Sequence, residues 1–403
     1  MTPRVRVLAV GLGVVLLLAP ADAGDATSRP HPAPVSGAAS DAEPPQPLPT
    51  DSPPHRPPPP PRRFTLVASG DVLLHSPLWH QAEADAAAGG RPGLDFRPLL
   101  AGVRPTVAGA DLAICHLETP LAPAGGPYSG YPSFSVPPEI APALADTGYD
   151  ACTTASNHTY DQGAAGIDRT LTALDAAGIR HAGSARSPAE ARRITFLRAG
   201  SARVALLSYA FGFNGYSAPN GETWRSNPID EARIERDAHR ARARGADVVV
   251  VALHWGTEYD QSPNGQQSDL APRLIRSPDV DLLLGHHAHV VQPLQDVGGE
   301  WIVYGMGNLV ARQSTPAATH EGIAVRFTFT ERRGRWRVTK AEYEPMYMVT
   351  DRTPIRLVDI ERALADPATD PALRGQLAEA RDRTAAVVNS MGAATHGLTR
   401  LRP

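Results

Sequence analysis

The sequence has few cysteines, little net charge and no apolar run long enough to cross a membrane. Its 403 residues include two cysteines, and the formal net charge is −3. Two cysteines cannot form the thiolate cluster of a structural zinc or iron–sulfur site. Arg is balanced by Asp and Glu, so the chain lacks the basic patch of a nucleic-acid-binding protein. We therefore expect no nucleic-acid partner.

The N-terminus is typical of an export signal. Two arginines precede an apolar run over residues 7–18, and Ala-Asp-Ala at 21–23 offers small residues for cleavage. The run is about 12 residues long, whereas a membrane-spanning helix needs roughly 20. No cysteine precedes Cys115, which excludes a lipid anchor at the signal. We predict a signal peptide over 1–23 and a secreted or cell-surface protein, with an uncleaved membrane anchor as the alternative.

Residues 24–62 hold a long run of prolines and no periodic apolar pattern. Such a segment cannot bury a core, so we predict a disordered, extended linker. At ~3.1 Å per residue it would reach on the order of 100 Å, which suits a protein working in or beyond a cell wall. The alternative is an exported leader without a role of its own.

From Phe64 onward, apolar strand patterns alternate with helical patterns. This alternation is typical of an α/β domain. The near-continuous apolar runs VVVVAL and DLLLG favour strands that are covered on both faces. We predict one domain over residues 64–350 and a helical C-terminal tail over 351–403 that packs on it or flanks it.

Five predicted strands end on a side chain that could bind a metal or act as a general acid. Open α/β sheets gather their sites at the carboxyl ends of strands, so we expect these side chains to meet. Two carboxylates, an amide oxygen and three imidazoles suit Zn, Mn or Fe, and a bridging carboxylate would allow two ions ~3.5–4 Å apart. The side chains are those of Asp71, Glu118, Asn157 with His158, His254, and His287 with His289.

Six short motifs occur in the order of a known family. They are SGDVLLHSPLW, CHLETPL, ASNHTYDQGAAGIDRTLTALDAAGIRHAGS, LHWGTEY, GHHAHVVQP and YGMGNLV. The set resembles the CapA-type capsule-synthesis proteins, also called poly-γ-glutamate synthesis proteins, over about residues 64–345. This family is a branch of the calcineurin-like metallophosphoesterase superfamily. The resemblance implies a four-layer α/β/β/α sandwich.

The resemblance also implies a role for each strand-end residue. His158 would polarise or protonate the leaving group, and Asp71 would share in catalysis as a metal ligand. His286 is left over, and we interpret it as a residue that packs or hydrogen-bonds behind the ligands. The implied ligands are Asp71 and His289 for the first ion, Glu118 as the bridge, and Asn157, His254 and His287 for the second.

Two departures from the family pattern affect the first ion. Leu73 stands where the superfamily has a ligand histidine, and His116 stands where the family has Asn before Leu-Glu. Residues two apart in a strand face the same side, so His116 could lie beside Glu118 and replace the missing ligand. The alternative is a histidine that lies behind the ligands or at the surface. His75 is a second, weaker substitute.

Four further residues are weak candidates for contact with a substrate. Trp255, Glu258 and Tyr259 follow His254 in the motif HWGTEY, and Asn308 ends the motif GMGN. The alternative is that the first three only form the wall of the pocket, and that Asn308 serves a turn.

The two cysteines lie on strands that we expect to be neighbours. Export would place Cys115 and Cys152 in an oxidising compartment, where a disulfide can form. Adjacent parallel strands rarely have the geometry for a disulfide, so we predict two buried free thiols.

Two classes of function fit these patterns. The first is an exported, metal-dependent hydrolase or transferase with two divalent ions, which acts on a phosphoester or γ-glutamyl bond in the synthesis of a cell-surface polymer. The second is a non-catalytic surface subunit that binds an anionic polymer or a membrane synthase, and the missing ligand at Leu73 favours it.

Overall fold

The computed structural model of the protein describes residues 62–313 and 315–402. The predicted signal peptide, and the predicted linker up to residue 61, lie outside these residues. Within the described part of the chain, no helix is both long and apolar enough to span a membrane.

The described residues form fifteen strands and ten α-helices. The strands are β1 (Arg63–Val72), β2 (Leu112–Leu117), β3 (Ala151–Thr153), β4 (Arg180–Ala182), β5 (Thr195–Ala199), β6 (Ala202–Ala210), β7 (Val248–His254), β8 (Leu282–His286), β9 (Leu294–Val297), β10 (Glu300–Val303), β11 (Asn308–Val310), β12 (Glu321–Arg332), β13 (Arg335–Val349), β14 (Arg356–Asp359) and β15 (Leu398–Arg400). The helices are α1 (Ser76–Ala88), α2 (Arg97–Leu100), α3 (Arg104–Ala108), α4 (Ile140–Thr147), α5 (Gly163–Ala176), α6 (Pro188–Ala191), α7 (Glu231–Ala243), α8 (Gly265–Arg276), α9 (Ile360–Ala365) and α10 (Pro371–Val388).

The strands form two sheets with parallel centres. The first sheet has the order β14-β13-β12-β1-β2-β3-β4, with β11 paired to β1 and β15 paired to β13. The second has the order β5-β6-β7-β8-β10-β9. Strands β1 to β4 are parallel to one another, as are β6, β7 and β8. In each sheet, the carboxyl ends of several parallel strands therefore lie side by side.

Period-two alternation along the strands separates the layers. In β7, Val248, Val250 and Ala252 belong to the core between the two sheets. Val249, Val251 and Leu253 belong instead to a core that includes side chains of α7 and α8. A third core joins the other face of the first sheet to side chains of helices α1 to α5. The predicted four-layer α/β/β/α arrangement is confirmed.

The C-terminal tail is built into the first sheet. It contains helices α9 and α10, as the prediction of a helical tail requires, but also two short strands that the sequence analysis missed. Strand β14 pairs antiparallel with β13, and β15 pairs parallel with it. Strands of three or four residues are too short to show a period-two pattern, so only their partner strand reveals them.

The two cysteines form a disulfide, so the prediction of two free thiols was wrong. Cys115 of β2 lies directly opposite Cys152 of β3. Their Cα atoms are 4.4 Å apart, which is within bridging range, and both side chains are buried. The bridge depends on the register of β2 and β3, which the spacing of the two cysteines along the chain does not determine.

Candidate metal centre

The predicted ligands meet at one end of the sandwich, where the carboxyl ends of parallel strands from both sheets lie together. Asp71 of β1 is paired with His116 of β2, and His254 of β7 is paired with His286 of β8. Strand β11 starts beside the same edge because Asn308 is paired with Asp71. All six predicted ligands are buried, namely Asp71, Glu118, Asn157, His254, His287 and His289.

Glu118 lies between two halves of the centre. Its Oε1 atom is 4.0 Å from Nε2 of His254 on one side and 3.8 Å from Nε2 of His289 on the other. On the first side, His254 Nε2 is 2.9 Å from Oδ1 of Asn157. On the second side, His289 Nδ1 is 3.6 Å from Oδ2 of Asp71. This is the position that a bridging carboxylate between two ions would occupy.

Three buried ligand atoms in this centre have no hydrogen-bond partner among the described residues. They are both carboxylate oxygens of Glu118 and Nδ1 of His287. An unpartnered buried carboxylate is costly, because its charge has lost water and gained nothing in return. Glu118, His287 and His289 also place ligand atoms within 4.8 Å of one another. Divalent cations held by these residues would give the orphaned atoms their partners, so the residues fit a metal.

A second triad of possible ligands is equally compact, but fewer of its ligand atoms are free of hydrogen bonds. Asp71, His116 and His286 also place ligand atoms within 4.8 Å of one another. However, His286 Nδ1 already donates to Oδ1 of Asp71 at 2.7 Å, and both ring nitrogens of His116 have hydrogen-bond partners. The triad of Glu118, His287 and His289 therefore has more ligand atoms that are free of hydrogen bonds than this one.

Burial sets the protonation of the centre. It raises the pKa of Glu118 well above its usual range, and the nearby carboxyl of Asp71 raises it further. Burial lowers the pKa of His254 well below its usual range and that of His287 to about 3. The imidazoles are therefore neutral at pH 7, which is the form that binds a metal.

A chain of hydrogen bonds holds the ring of His254 from behind. Nδ1 of His254 is 2.9 Å from Nε2 of His116, and Nδ1 of His116 is 2.8 Å from Oγ1 of Thr153. Thr153 can in turn donate to the backbone carbonyl of Cys115. If each group donates in that direction, Nε2 of His254 is left with a free lone pair towards Asn157 and Glu118. His116 thus has a hydrogen-bonding position behind a ligand.

Asn308 contacts a candidate metal ligand and is not among the residues that line the cavity, so its prediction as a substrate contact stays a prediction. Its Oδ1 lies 3.1 Å from Nδ1 of His289, and its amide donates to Gln313 and to the carbonyl of Thr319. The side chain is buried. A proton on His289 Nδ1 then leaves Nε2 free on the side of Glu118.

The backbone at the last motif is unusual for the residues that it carries. His287 has φ = 92° and His289 has φ = 56°, although neither is glycine. Positive φ costs a non-glycine residue free energy, and such residues concentrate at functional sites. The turn also allows the backbone N–H of His287 to donate to Oδ2 of Asp71 at 3.0 Å.

His158 lies at the rim with a partner that the sequence analysis missed. Its Nδ1 is 2.8 Å from Oδ2 of Asp161, which also accepts from the backbone N–H of Phe134. The ring orientation is thus fixed, and Nε2 is the nitrogen left for a substrate. The sequence signal for this pair was an aspartate three residues after the histidine. Asn214 was also missed; its Oδ1 accepts from the side-chain amide of Asn157 at 3.1 Å.

A cavity of about 550 Å³ opens over the centre. Glu258 and Tyr259 line it, as does His75, whose Nδ1 lies near the backbone of Leu73 and Arg312. Trp255 does not line it and is fully buried, so the cavity gives no support to its prediction as a substrate contact. The Trp255 side chain is buried in the core beside α7 and α8, and its Nε1 donates to the carbonyl of Tyr304. Strand alternation turns it away from the side that His254 faces.

The motifs that build this centre also identify the family. Residues 65–313 match the family described as Bacterial capsule synthesis protein PGA_cap. The chain belongs to this family. It is 30% identical to "PGA biosynthesis protein CapA" of Bacillus subtilis over 176 residues, which is 43% of this chain and 46% of that protein. It is 28% identical to "Probable polyglutamine synthesis accessory protein Rv0574c" of Mycobacterium tuberculosis over 215 residues, 50% of this chain and 55% of that one. The chain thus spans about half the length of these curated relatives.

Two solved structures are similar to this PGA_cap chain. "Crystal structure of calcineurin-like phosphoesterase YfkN from Bacillus subtilis" has a TM-score of 0.46 at 12% identity and covers 81% of this chain and 98% of that one. A "novel phosphatase" of Mycoplasma pneumoniae has a TM-score of 0.42 at 12% identity and covers 71% and 94%.

Leu73 leaves the candidate metal centre of this PGA_cap protein without a ligand at that position. It lines the cavity, where its alkyl side chain supplies no ligand. On the first-ion side, the candidate ligands are Asp71, His289 and the shared Glu118. The second-ion side has Asn157, His254 and His287 with the same Glu118. The two halves therefore differ by one protein ligand.

Proposed function

We propose that this protein is an exported, metal-dependent hydrolase or transferase that acts in the synthesis of a capsule or poly-γ-glutamate polymer. The single observation that supports the catalytic part is Glu118, a buried carboxylate with two unpartnered oxygens between His254 and His289. A structural metal site would close its ligand sphere, whereas this centre opens into a cavity.

Divalent ions at such a centre supply Lewis-acid polarisation of an electrophile and make a water nucleophile available at neutral pH. The chain's own residues do the rest. Asp161 fixes the ring of His158, so that Nε2 can hold a proton next to a departing oxygen or nitrogen. Asn214 accepts a hydrogen bond from the amide of Asn157 and so fixes its orientation.

The setting of the reaction is proposed from the N-terminal signal pattern and from the names of the relatives. Those names refer to PGA, capsule and polyglutamine synthesis. The proposed partners are an anionic cell-surface polymer and a membrane synthase, and the substrate is a phosphoester or a γ-glutamyl bond. The reaction would take place outside the cytoplasm.

The test begins with purified full-length protein from which metal has been removed with a chelator. Mn²⁺, Zn²⁺ or Fe²⁺ is returned, and bound metal is measured together with hydrolysis of a panel of phosphoesters and γ-glutamyl peptides. We expect up to two ions per chain and activity that depends on them. His289→Ala should lose one ion per chain and the activity that depends on it. His239→Ala is the matched control, because its side chain on α7 is 78% exposed and paired with Asp279.

Metal binding without turnover of any member of the panel would contradict the catalytic proposal. It would favour the non-catalytic subunit instead, in which case the protein should still bind the polymer or the synthase.

A further inference from the structure

Exposed aromatic side chains are concentrated around the metal centre. The described residues have five exposed large apolar side chains, and four of them border this site. Tyr131, Tyr216 and Tyr259 line the cavity, while the ring of Phe211 lies 4.5 Å from that of His287. The fifth, Met391, follows α10 and does not line the cavity. Clustered exposed apolar surface of this kind marks a binding site.

The aromatics come from three separate loops. Tyr131 lies between β2 and α4, Phe211 and Tyr216 lie between β6 and α7, and Tyr259 lies between β7 and α8. Tyr131 is 80% exposed, so packing within the protein does not account for its ring. Three unrelated loops thus present rings to the same opening.

Apart from three histidines, the polar residues of the cavity carry amides, phenols and one carboxylate. Asn214 and Gln313 contribute amides, and Glu258 contributes the one carboxylate of the lining. No Lys or Arg is among the described residues that line it. Arg312 is near enough to His75 to lower the pKa of that imidazole, but it is not part of the lining.

We propose that the cavity binds an uncharged glycosyl ring as the body of the substrate, beside the reacting group at the metal centre. The proposal rests on the proposed function and narrows its substrate from a phosphoester or γ-glutamyl bond to a phosphoester of a glycosyl unit. Tyrosine and phenylalanine faces stack on the apolar faces of sugar rings. Amides and phenols can donate to and accept from sugar hydroxyls, and a carboxylate can accept from them.

The same lining disfavours a polyanionic chain in the cavity. Every unit of a γ-glutamyl polymer carries a carboxylate, and recognition of several carboxylates requires Arg or Lys. Two divalent ions could meet the charge of one reacting group, but not the charges of the following units. Glu258 would repel them. Charge complementarity therefore favours a neutral body.

The test measures binding to metal-free full-length protein, so that it does not depend on catalysis. The probes are cellobiose, maltose and N,N′-diacetylchitobiose. A γ-glutamyl tetramer and adenosine are measured beside them and represent the two alternative ligand classes. Saturation-transfer NMR reports which ligand protons touch the protein, and titration calorimetry reports affinity. We expect at least one disaccharide to bind through its ring protons, more tightly than the tetramer or adenosine.

Variants locate the binding. Tyr131→Ala and Tyr216→Ala should each weaken disaccharide binding at least fivefold, while Tyr216→Phe, which keeps the ring, should restore most of it. Met391→Ala is the matched control, because it removes a similarly exposed apolar side chain elsewhere. Far-UV circular dichroism checks that each variant is folded.

Three results would overturn the proposal. One is the absence of binding across the disaccharide panel, and a second is binding that neither tyrosine variant changes. The third is tighter binding of the γ-glutamyl tetramer that Arg312→Ala abolishes, or tighter binding of adenosine. If sugar binding holds and metal-dependent turnover fails, the proposed function fails and this cavity assignment stands. If metal-dependent turnover is observed and sugar binding is not, the proposed function stands and the cavity assignment fails.

Discussion

Nε2 of His116 lies 2.9 Å from Nδ1 of His254, on the far side of the ring from Asn157. His116 therefore supports a metal-ligand candidate from behind. This contact does not replace the ligand that is missing at Leu73, because Leu73 lies on the first-ion side and His254 on the second-ion side.

A first prediction compares His116→Ala with His289→Ala. Loss of a group that only orients a ligand weakens metal affinity about 10–100-fold, so His116→Ala should still reach the wild-type metal content at high metal concentration. His289→Ala removes a ligand and should lose one ion per chain. Metal titration followed by elemental analysis measures both. If His116→Ala loses an ion to the same extent as His289→Ala, then His116 is itself a ligand.

A second prediction concerns the cost of Glu118 without metal. Glu118→Gln should raise the free energy of unfolding of metal-free protein, because it replaces a buried, unpartnered carboxyl with a neutral amide. It should also abolish stabilisation by added Mn²⁺, which for wild type should reach about 2.7 kcal/mol at 100 times Kd. Thermal unfolding with and without chelator measures both effects. Equal stabilisation of both proteins by Mn²⁺ would place the ion elsewhere.

A third prediction concerns the pair His158 and Asp161. Asp161→Asn weakens the acceptor that orients the ring, so kcat should fall at least tenfold on a phosphoester with a poor leaving group. The loss should be smaller on 4-nitrophenyl phosphate, whose leaving group needs no proton. Asp146→Asn is the control, since that carboxylate is 45% exposed and forms a long ion pair with Arg104. An equal loss on both substrates would indicate a purely structural role.

A fourth prediction concerns the disulfide. Cys115→Ala with Cys152→Ala should lower the free energy of unfolding by roughly 3–4 kcal/mol, the chain-entropy value for a loop of this length. The two cysteines are 37 positions apart in the sequence. Denaturant unfolding under non-reducing conditions measures the change. Reducing agent should destabilise wild type and leave the double variant unchanged; insensitivity of wild type would mean that the bridge does not form.

A fifth prediction concerns pH. Burial, together with the neighbouring Asp359, raises the pKa of Glu344 to about 8. The folded state therefore binds this proton more tightly than the unfolded chain does. The contribution to stability is fully present below the ordinary pKa of a glutamate and is lost as pH rises towards 8.

Glu344→Gln should therefore flatten the fall in stability over that range and leave the protein more stable than wild type at pH 8. Denaturant unfolding from pH 5 to 8 measures it. Glu235→Gln, an exposed position on α7, is the control. A wild-type profile that rises towards pH 8 and responds equally to both variants would refute the assignment.

The sequence by itself determined the alternation of strands and helices, the family and the residues at the strand ends. Near-continuous apolar runs such as VVVVAL can be stable only when both faces are buried, so the pattern along β7 already predicts two covering layers. Asp71 and His254 could be found in the same way, because polar side chains at the carboxyl ends of buried parallel strands gather at the same end of a sheet.

Only the tertiary structure decided what surrounds those residues. Asn308 meets His289 because β11 pairs with β1, and the cysteines meet because β2 and β3 are in register. The four exposed aromatics come from loops that are distant in sequence. Such contacts depend on strand register and on loop conformation, which local propensity does not specify. Trp255 points into the core, although its motif suggested a pocket. This direction, too, is visible only in the tertiary structure.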